Sequence, residues 1–110
     1  MHEMAITQSV VQTVAERCKG RQVDQVTLLV GALSGVVADS VRFCFDMCTM
    51  GTDLEGASLD IVDVPGRAHC RECDELVELP DFIALCPCGS ADLEIVAGQE
   101  LSIQSVEVKV

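Results

Sequence analysis

The chain has 110 residues, of which 49% are hydrophobic and only 3% aromatic, with neither tryptophan nor tyrosine. This length fits one folded domain, and the composition predicts an aliphatic core and argues against disorder. The formal net charge of −11, with only seven lysines and arginines, argues against nucleic acid as a partner, because phosphate binding depends on basic side chains. The sequence shows no signal segment and no apolar run long enough to span a membrane, so we expect a soluble, cytoplasmic protein.

The first half of the chain is predicted to form two helices and a strand. Apolar residues four apart predict an amphipathic helix from Ala5 to Cys18. Alternating apolar residues predict a strand from Val23 to Val30. A loop follows, and Asp39 and Ser40 offer the N-cap of a second helix that ends at residues 50–51.

Two further strands are predicted in the second half. One runs from Leu59 to Val64 and the other from Leu101 to Val110. The apolar alternation of the last strand changes parity between Ile103 and Val106, which predicts a bulge or bend. Because short helices need a sheet to cover their apolar faces, we expect an α+β fold, with a small three-stranded sheet packed with two helices.

Residues 67–97 lie between the last two predicted strands and contain four of the seven cysteines. We predict that this segment is a zinc-ribbon-like module inserted into a main α+β domain formed by residues 1–66 and 98–110. The odd number of cysteines and their clustering favour a reducing compartment and a metal site over a disulfide framework.

The clustered cysteines form two pairs, Cys70 with Cys73 and Cys86 with Cys88, separated by twelve residues. Zn(II) prefers four soft ligands in a tetrahedron, and two hairpin-borne pairs supply that geometry in zinc ribbons. His69 remains an alternative to one of these cysteines as a ligand. A structural zinc is favoured, because nothing in the segment supplies an open coordination position or a general base for hydrolysis.

The other three cysteines are predicted to lie on the helices. Cys44 and Cys48 are four residues apart on one helical face and so could chelate a metal, but the favoured interpretation is that they and Cys18 are small buried hydrophobic residues. Asp39 is most simply a helix cap, with proximity to a metal as the alternative. No catalytic triad, phosphate loop or dinucleotide motif is present, and the two histidines leave almost no candidates for acid/base catalysis.

The N-terminal residues Met1, His2 and Glu3 offer a chelate built on the chain end. The α-amine, the His2 amide nitrogen and the His2 imidazole can close fused rings around one ion, and Ni(II) and Cu(II) reward such a planar, strong-field arrangement. The Glu3 amide nitrogen could complete an alternative set without the amine. The Glu3 carboxylate is expected to orient the site or contact a partner.

Five stretches of the chain together resemble one family, the HypA/HybF nickel metallochaperones. They are MHEMAITQSVV, VGALSGVVADSVRFCFDMCTMGT, LDIVDV, CRECDELVEL and CPCGSADLEIVAGQEL. The stretches follow one another in the same order as in the family and cover essentially the whole chain. The resemblance implies delivery of Ni(II) during maturation of NiFe hydrogenase, and in some organisms of urease.

The resemblance also implies two metal sites and several protein partners. Nickel is expected at His2, assisted by backbone or amine nitrogens of Met1 and Glu3. Structural zinc is expected at the four clustered cysteines. The implied partners are the GTPase HypB, the large subunit of NiFe hydrogenase and, in some organisms, urease maturation proteins.

The sequence departs from the family pattern at two places. The family usually has two C-x2-C pairs, whereas Cys86 and Cys88 are separated by a single residue. Many members carry an acidic residue at the position of Val37, where the nearest carboxylate here is Asp39.

We interpret the chain as a metal carrier and not an enzyme. One alternative is a zinc-ribbon interaction module without a nickel role, which predicts a basic face or stacking aromatic residues. Another is a thiol redox sensor, which predicts reversible disulfides and retained function when His2 is replaced.

Overall fold

The computed structural model describes residues 3–110. These residues form two helices and six strands. In order they are α1 (Glu3–Cys18), β1 (Val23–Gly31), α2 (Ala38–Cys48), β2 (Ser58–Val64), β3 (Gly66–Cys70), β4 (Leu76–Leu79), β5 (Leu93–Ala97) and β6 (Leu101–Val108).

Strands β2, β1 and β6 form one three-stranded sheet, with β1 in the middle. Strand β1 runs parallel to β2 and antiparallel to β6. Helices α1 and α2 pack against each other and against this sheet. The predicted three-stranded sheet with two helices is therefore confirmed.

The main core lies between the helices and one face of the sheet. Its largest fully buried side chains are those of Phe45 on α2, Leu28 on β1 and Leu54 in the loop after α2. The helix α1 contributes Val11 and Val14. All these side chains are aliphatic except Phe45, as the composition predicts, and their burial is what holds the helices on the sheet.

The predicted irregularity in the last strand is confirmed. Thr27 pairs with Ser105 and Leu28 with Ile103, so Gln104 is an extra residue on β6. The bulge explains the change of parity, since Ile103 and Val106 both pack against the main core although they are three residues apart.

Residues 66–97 build a second sheet of three antiparallel strands in the order β4, β3, β5. This small module has its own apolar cluster, centred on Ala68 and Leu79. The third buried member of that cluster is Leu33, which comes from the loop after β1 in the main domain. The sequence did not reveal this contact, because Leu33 lies in a stretch of glycine, serine and alanine that has no periodicity.

At three glycines the backbones of the main domain and the module approach each other closely. A Cβ atom on Gly31 would overlap the carbonyl group of Gly98 and lie 2.7 Å from the backbone nitrogen of Glu100. A Cβ atom on Gly66 would lie 2.5 Å from the carbonyl oxygen of Leu79. The backbones therefore pass so close here that no side chain fits between them.

Helix α2 begins at Ala38, before the predicted cap at Asp39 and Ser40, so that prediction is wrong. Val37 is the N-cap residue, in an extended conformation, and no side chain of its own caps the helix. Its N–H donates instead to Oε2 of Glu3, at 3.4 Å, so a carboxylate from α1 takes the place of a local cap.

No helix among residues 3–110 is long and apolar enough to cross a membrane.

Candidate metal centres

The four clustered cysteines converge at one end of the module. Their Sγ atoms all lie within 4.8 Å of one another. Cys70 and Cys88 are 3.7 Å apart at sulfur, and Cys73 and Cys86 are 3.5 Å apart. A zinc ion bound tetrahedrally at about 2.3 Å from each sulfur separates its sulfur ligands by about 3.8 Å. The cluster is therefore consistent with zinc.

The first pair is held in a tight turn at the end of β3. The N–H of Asp74 donates to the carbonyl of Cys70 at 2.8 Å, and the N–H of Cys70 donates to the carbonyl of Glu75 at 2.9 Å. Asp74 adopts a positive φ of 63°, which turns the chain back into β4. This turn directs the sulfurs of Cys70 and Cys73 to the same side.

The second pair is held in a turn that is one residue shorter. The N–H of Gly89 donates to the carbonyl of Cys86 at 2.8 Å, and the N–H of Cys86 donates to the carbonyl of Ser90 at 3.1 Å. Gly89 adopts a φ of 95°, a conformation that glycine reaches without steric cost. The shortened spacing therefore still brings Cys88 into the cluster.

Crowding in the cluster moves the pKa values of Cys70 and Cys73 in opposite directions. The backbone N–H groups of Cys73 and Glu72 stabilise the Cys70 thiolate, and against the effect of burial they lower its pKa to about 6. For Cys73 the N–H of Glu75 acts in the same direction, but the neighbouring Cys86 thiol and burial prevail and raise its pKa to about 12. One thiolate thus discourages ionisation of its neighbours, which is the situation that a divalent cation relieves.

His69 lies outside this group of four. Its Nε2 is 2.5 Å from Oδ1 of Asp74, the residue that closes the first turn. The side chain therefore braces the turn from the outside. The alternative in which His69 replaces a cysteine has no support in this geometry, because the four sulfurs lie together and the His69 imidazole contacts Asp74 instead.

Of the proposed nickel residues, only Glu3 is described by the structure, and Met1 and His2 lie outside the described residues. Glu3 is the first residue of α1. Its carboxylate accepts the Val37 N–H at the start of α2, and its carbonyl accepts the hydroxyl of the buried Thr7 at 2.6 Å. The first contact ties the beginning of α1 to α2, and the second lies within the first turn of α1 itself.

Asp39 lies beside this end of α1 but is engaged with its own helix. Its Oδ1 receives Nη1 of Arg42 at 2.9 Å, three residues along α2. Asp39 and Glu3 line the same shallow pocket, together with Met4 and Cys44. The carboxylate that the sequence suggested as a cap is therefore a surface charge near the chain end.

Two of the three helical cysteines lie near the N-terminal end of α1. Cys44 is buried, as expected for a small hydrophobic residue, whereas Cys48 and Cys18 are only partly buried at the edge of the main core. The thiol of Cys48 donates to Sδ of Met4 at 3.5 Å. Burial and the nearby Cys44 raise the pKa of Cys48. The role of Met4 is not visible in the sequence, because the contact joins residues 44 positions apart.

Comparison with known proteins identifies the family. The family model described as "Hydrogenase/urease nickel incorporation, metallochaperone, hypA" matches residues 1–108. The hydrogenase maturation factor HypA of Rippkaea orientalis is 49% identical over 110 residues, covering 99% of this chain and 96% of its own. The factor of the same name from Geobacter metallireducens is 46% identical, covering 99% of this chain and all of its own.

The fold is also shared with a solved structure. The solution structure of the nickel metallochaperone HypA from Helicobacter pylori superposes with a TM-score of 0.64 over 98% of this chain and 97% of that one, at 21% sequence identity. The recognition made from the sequence is therefore confirmed, and the zinc-ribbon and redox-sensor alternatives are not favoured. The chain belongs to the HypA family of nickel metallochaperones, the hydrogenase maturation factors.

Proposed function

We propose that this chain carries Ni(II) at its N-terminus, with His2 as the principal ligand. The observation that carries the proposal is the whole-chain membership of a nickel metallochaperone family, combined with a helix α1 that begins at Glu3, directly after His2 in the sequence. The imidazole and amide nitrogens of His2, with either the Met1 amine or the Glu3 amide, make up a planar set of the kind that Ni(II) prefers.

Glu3 positions this site in the proposal and does not supply its main donor. Its carboxylate already accepts a hydrogen bond from the N-cap of α2, which ties the first residue of α1 to the rest of the domain. An outer contact of this kind orients the ligands next to it. The contact of Glu3 with α2 would thus fix the position of the chelate on the surface, although the donors of the chelate come from the chain end.

Cys70, Cys73, Cys86 and Cys88 would hold a structural zinc ion. The sulfur distances and the two hydrogen-bonded turns fit a tetrahedral ion, and four thiolates leave no position open for a substrate. When bound, zinc neutralises the crowded thiolates and contributes binding energy to the folding of the module. The residues of the module build this site from two turns, and they contribute the buried side chains of Ala68 and Leu79 to an apolar cluster that Leu33 of the main domain completes.

The chain is proposed to hand over its nickel by ligand exchange in a complex and not to catalyse a reaction. The partners inferred from the family are a HypB-type GTPase, the large subunit of NiFe hydrogenase and, in some organisms, urease maturation proteins. A net charge of −11 favours basic surfaces on these partners and acts mainly on the rate of encounter. We infer that the chain works in the cytoplasm, since its seven cysteines are free thiols.

The decisive experiment titrates Ni(II) into zinc-loaded protein with a native, untagged N-terminus. We expect His2→Ala to weaken nickel binding by roughly 100-fold or more, because even the loss of a residue that only orients a ligand costs about 10- to 100-fold. The matched control is His69→Gln, which removes the only other histidine. This control should leave nickel affinity and zinc content unchanged.

Two results would contradict the proposal. Equal nickel affinity in the wild type and His2→Ala would remove the N-terminal site, and a loss in His69→Gln as large as in His2→Ala would move the site to the module. Acetylation of the α-amine then separates the two donor sets. It abolishes binding if the Met1 amine is a ligand and preserves it if the Glu3 amide is used instead.

A further inference from the structure

Met4, Cys44 and Cys48 bring sulfur-containing side chains from two helices to the region beside the N-terminal end of α1. Met4 lies in the first turn of α1, and its Sδ is 3.5 Å from Sγ of Cys48 on α2. Met4 also lines a shallow surface pocket together with Cys44, which precedes Cys48 by one helical turn. Residues four apart on a helix lie on the same face, so both thiols face the side of α2 that packs against α1.

Packing alone explains only part of this group. Cys44 is 8% exposed and serves as a small core residue, but Met4 is 37% exposed and Cys48 is only partly buried. Two partly exposed residues thus bring their sulfur atoms into contact at the rim of the core. The pocket beside them carries the carboxylates of Glu3 and Asp39, which favour the approach of a cation.

We propose that Met4, Cys44 and Cys48 form a second metal site, which takes Cu(I). Two thiolates and a thioether are soft ligands, and such ligands select Cu(I) over the harder divalent ions. Binding replaces two S–H bonds by two copper–sulfur bonds and releases both protons to solvent. The thioether of Met4 adds a third donor without losing a proton, and copper stays in its +1 state throughout.

The proposed site is separate from the proposed nickel and zinc sites. Its ligands are none of the module cysteines, and it uses side-chain sulfur where the nickel chelate uses nitrogen. An ion bound here would join α1 to α2 through Met4, two residues after His2. The helix pair would therefore be fixed at the base of the chain end, independently of whether nickel is bound there.

The test titrates Cu(I), kept reduced by ascorbate, into zinc-loaded protein in competition with the chromophoric chelator bicinchoninate. We expect one equivalent of copper to bind without release of zinc and with the near-ultraviolet absorption of copper thiolates. Cys44→Ser with Cys48→Ser should weaken binding by at least about 10- to 100-fold, and Met4→Leu should cause a smaller loss. The matched control is Cys18→Ser, which alters a partly buried cysteine at the other end of α1 and should change nothing.

Because Cys44 is buried, the double variant must be shown to fold, by circular dichroism and by its zinc content. Should it fail to fold, Cys48→Ser and Met4→Leu together test the same site at two partly exposed positions. Equal copper affinity in these variants and the wild type would overturn the proposal. So would release of one zinc ion for each copper bound, or a loss in Cys18→Ser as large as in the cysteine pair. His2→Ala should leave copper binding unchanged, so failure of either metal proposal is distinguishable from failure of the other.

Discussion

Replacing Gly31 by alanine tests the close junction between the main domain and the module. Gly31 has no positive φ, so its backbone conformation is open to alanine. On these grounds alone, alanine should stabilise the protein by about 0.4–1 kcal/mol, because it lowers the conformational entropy of the unfolded chain. The structure predicts the opposite. The new Cβ would overlap the carbonyl group of Gly98, which belongs to the backbone and has no flexible end to move away.

The size of the effect follows from the hydrogen bonds at this point. Gly31 donates to the carbonyl of Glu100 at 2.7 Å, and Leu33 donates to the carbonyl of Gly98 at 2.6 Å. To reach ordinary contact near 3.5 Å, the segment around Gly98 must move away by about 1 Å or more. Both bonds then stretch to the limit of hydrogen bonding. A buried polar group left unpaired costs about 1–3 kcal/mol, so we expect a net loss of about 2–5 kcal/mol.

The assay is thermal and urea unfolding of zinc-loaded protein, followed by circular dichroism. A loss of this size should lower Tm by at least about 10 °C in a chain of this length. The matched control is Gly35→Ala, since Gly35 has a φ of 78° and no atom near its missing Cβ. That variant carries only the backbone strain of about 1–2 kcal/mol. If Gly31→Ala is as stable as the wild type or more stable, the close approach of Gly31 and Gly98 is wrong.

Two further predictions concern the module. Leu33→Ala should lower the free energy of unfolding by about 2–4 kcal/mol and speed amide exchange in the module's strands, because this side chain of the main domain fills the module core. The control is Leu76→Ala, at a side chain that is 65% exposed, which should lower the free energy of unfolding by less than about 1 kcal/mol. Zinc affinity should rise by at least about 100-fold per pH unit between pH 7 and 8. Zinc binding removes protons from Cys73 and Cys88, because the pKa values of both thiols are raised above 9. Cys70, with a pKa of about 6, is already ionised in this range. Chelator competition at several pH values measures this, and a slope near zero would contradict the assignment of these thiols as ligands.

Much of the fold could be predicted from local pattern. The helical spacing in α1, the alternation in β1 and even the bulge at Gln104 are visible in the sequence, because each reflects which side of one element faces the core. The pairing of cysteines into a four-sulfur cluster was also predictable, since the spacing of metal ligands is itself a local pattern.

Contacts between distant segments were not predictable in this way. The cap of α2 comes from Glu3 and not from Asp39, and no local rule connects a carboxylate on one helix with the N–H of Val37. The anchoring of the module by Leu33 and the sulfur contact of Met4 with Cys48 have the same origin. Each depends on how helices and loops are placed by the packing of the whole core.

The sequence by itself determined the family, the α+β class and the residues proposed to hold nickel and zinc, because these depend on residue type, order and spacing. Only the tertiary structure decided that the shortened pair Cys86 and Cys88 still completes the cluster and that Gly31 and Gly98 join the two parts. It also revealed the sulfur contact between Met4 and Cys48 near the start of α1. The physical reason is that such features depend on distances between atoms far apart in the chain, which are set by the close packing of the core.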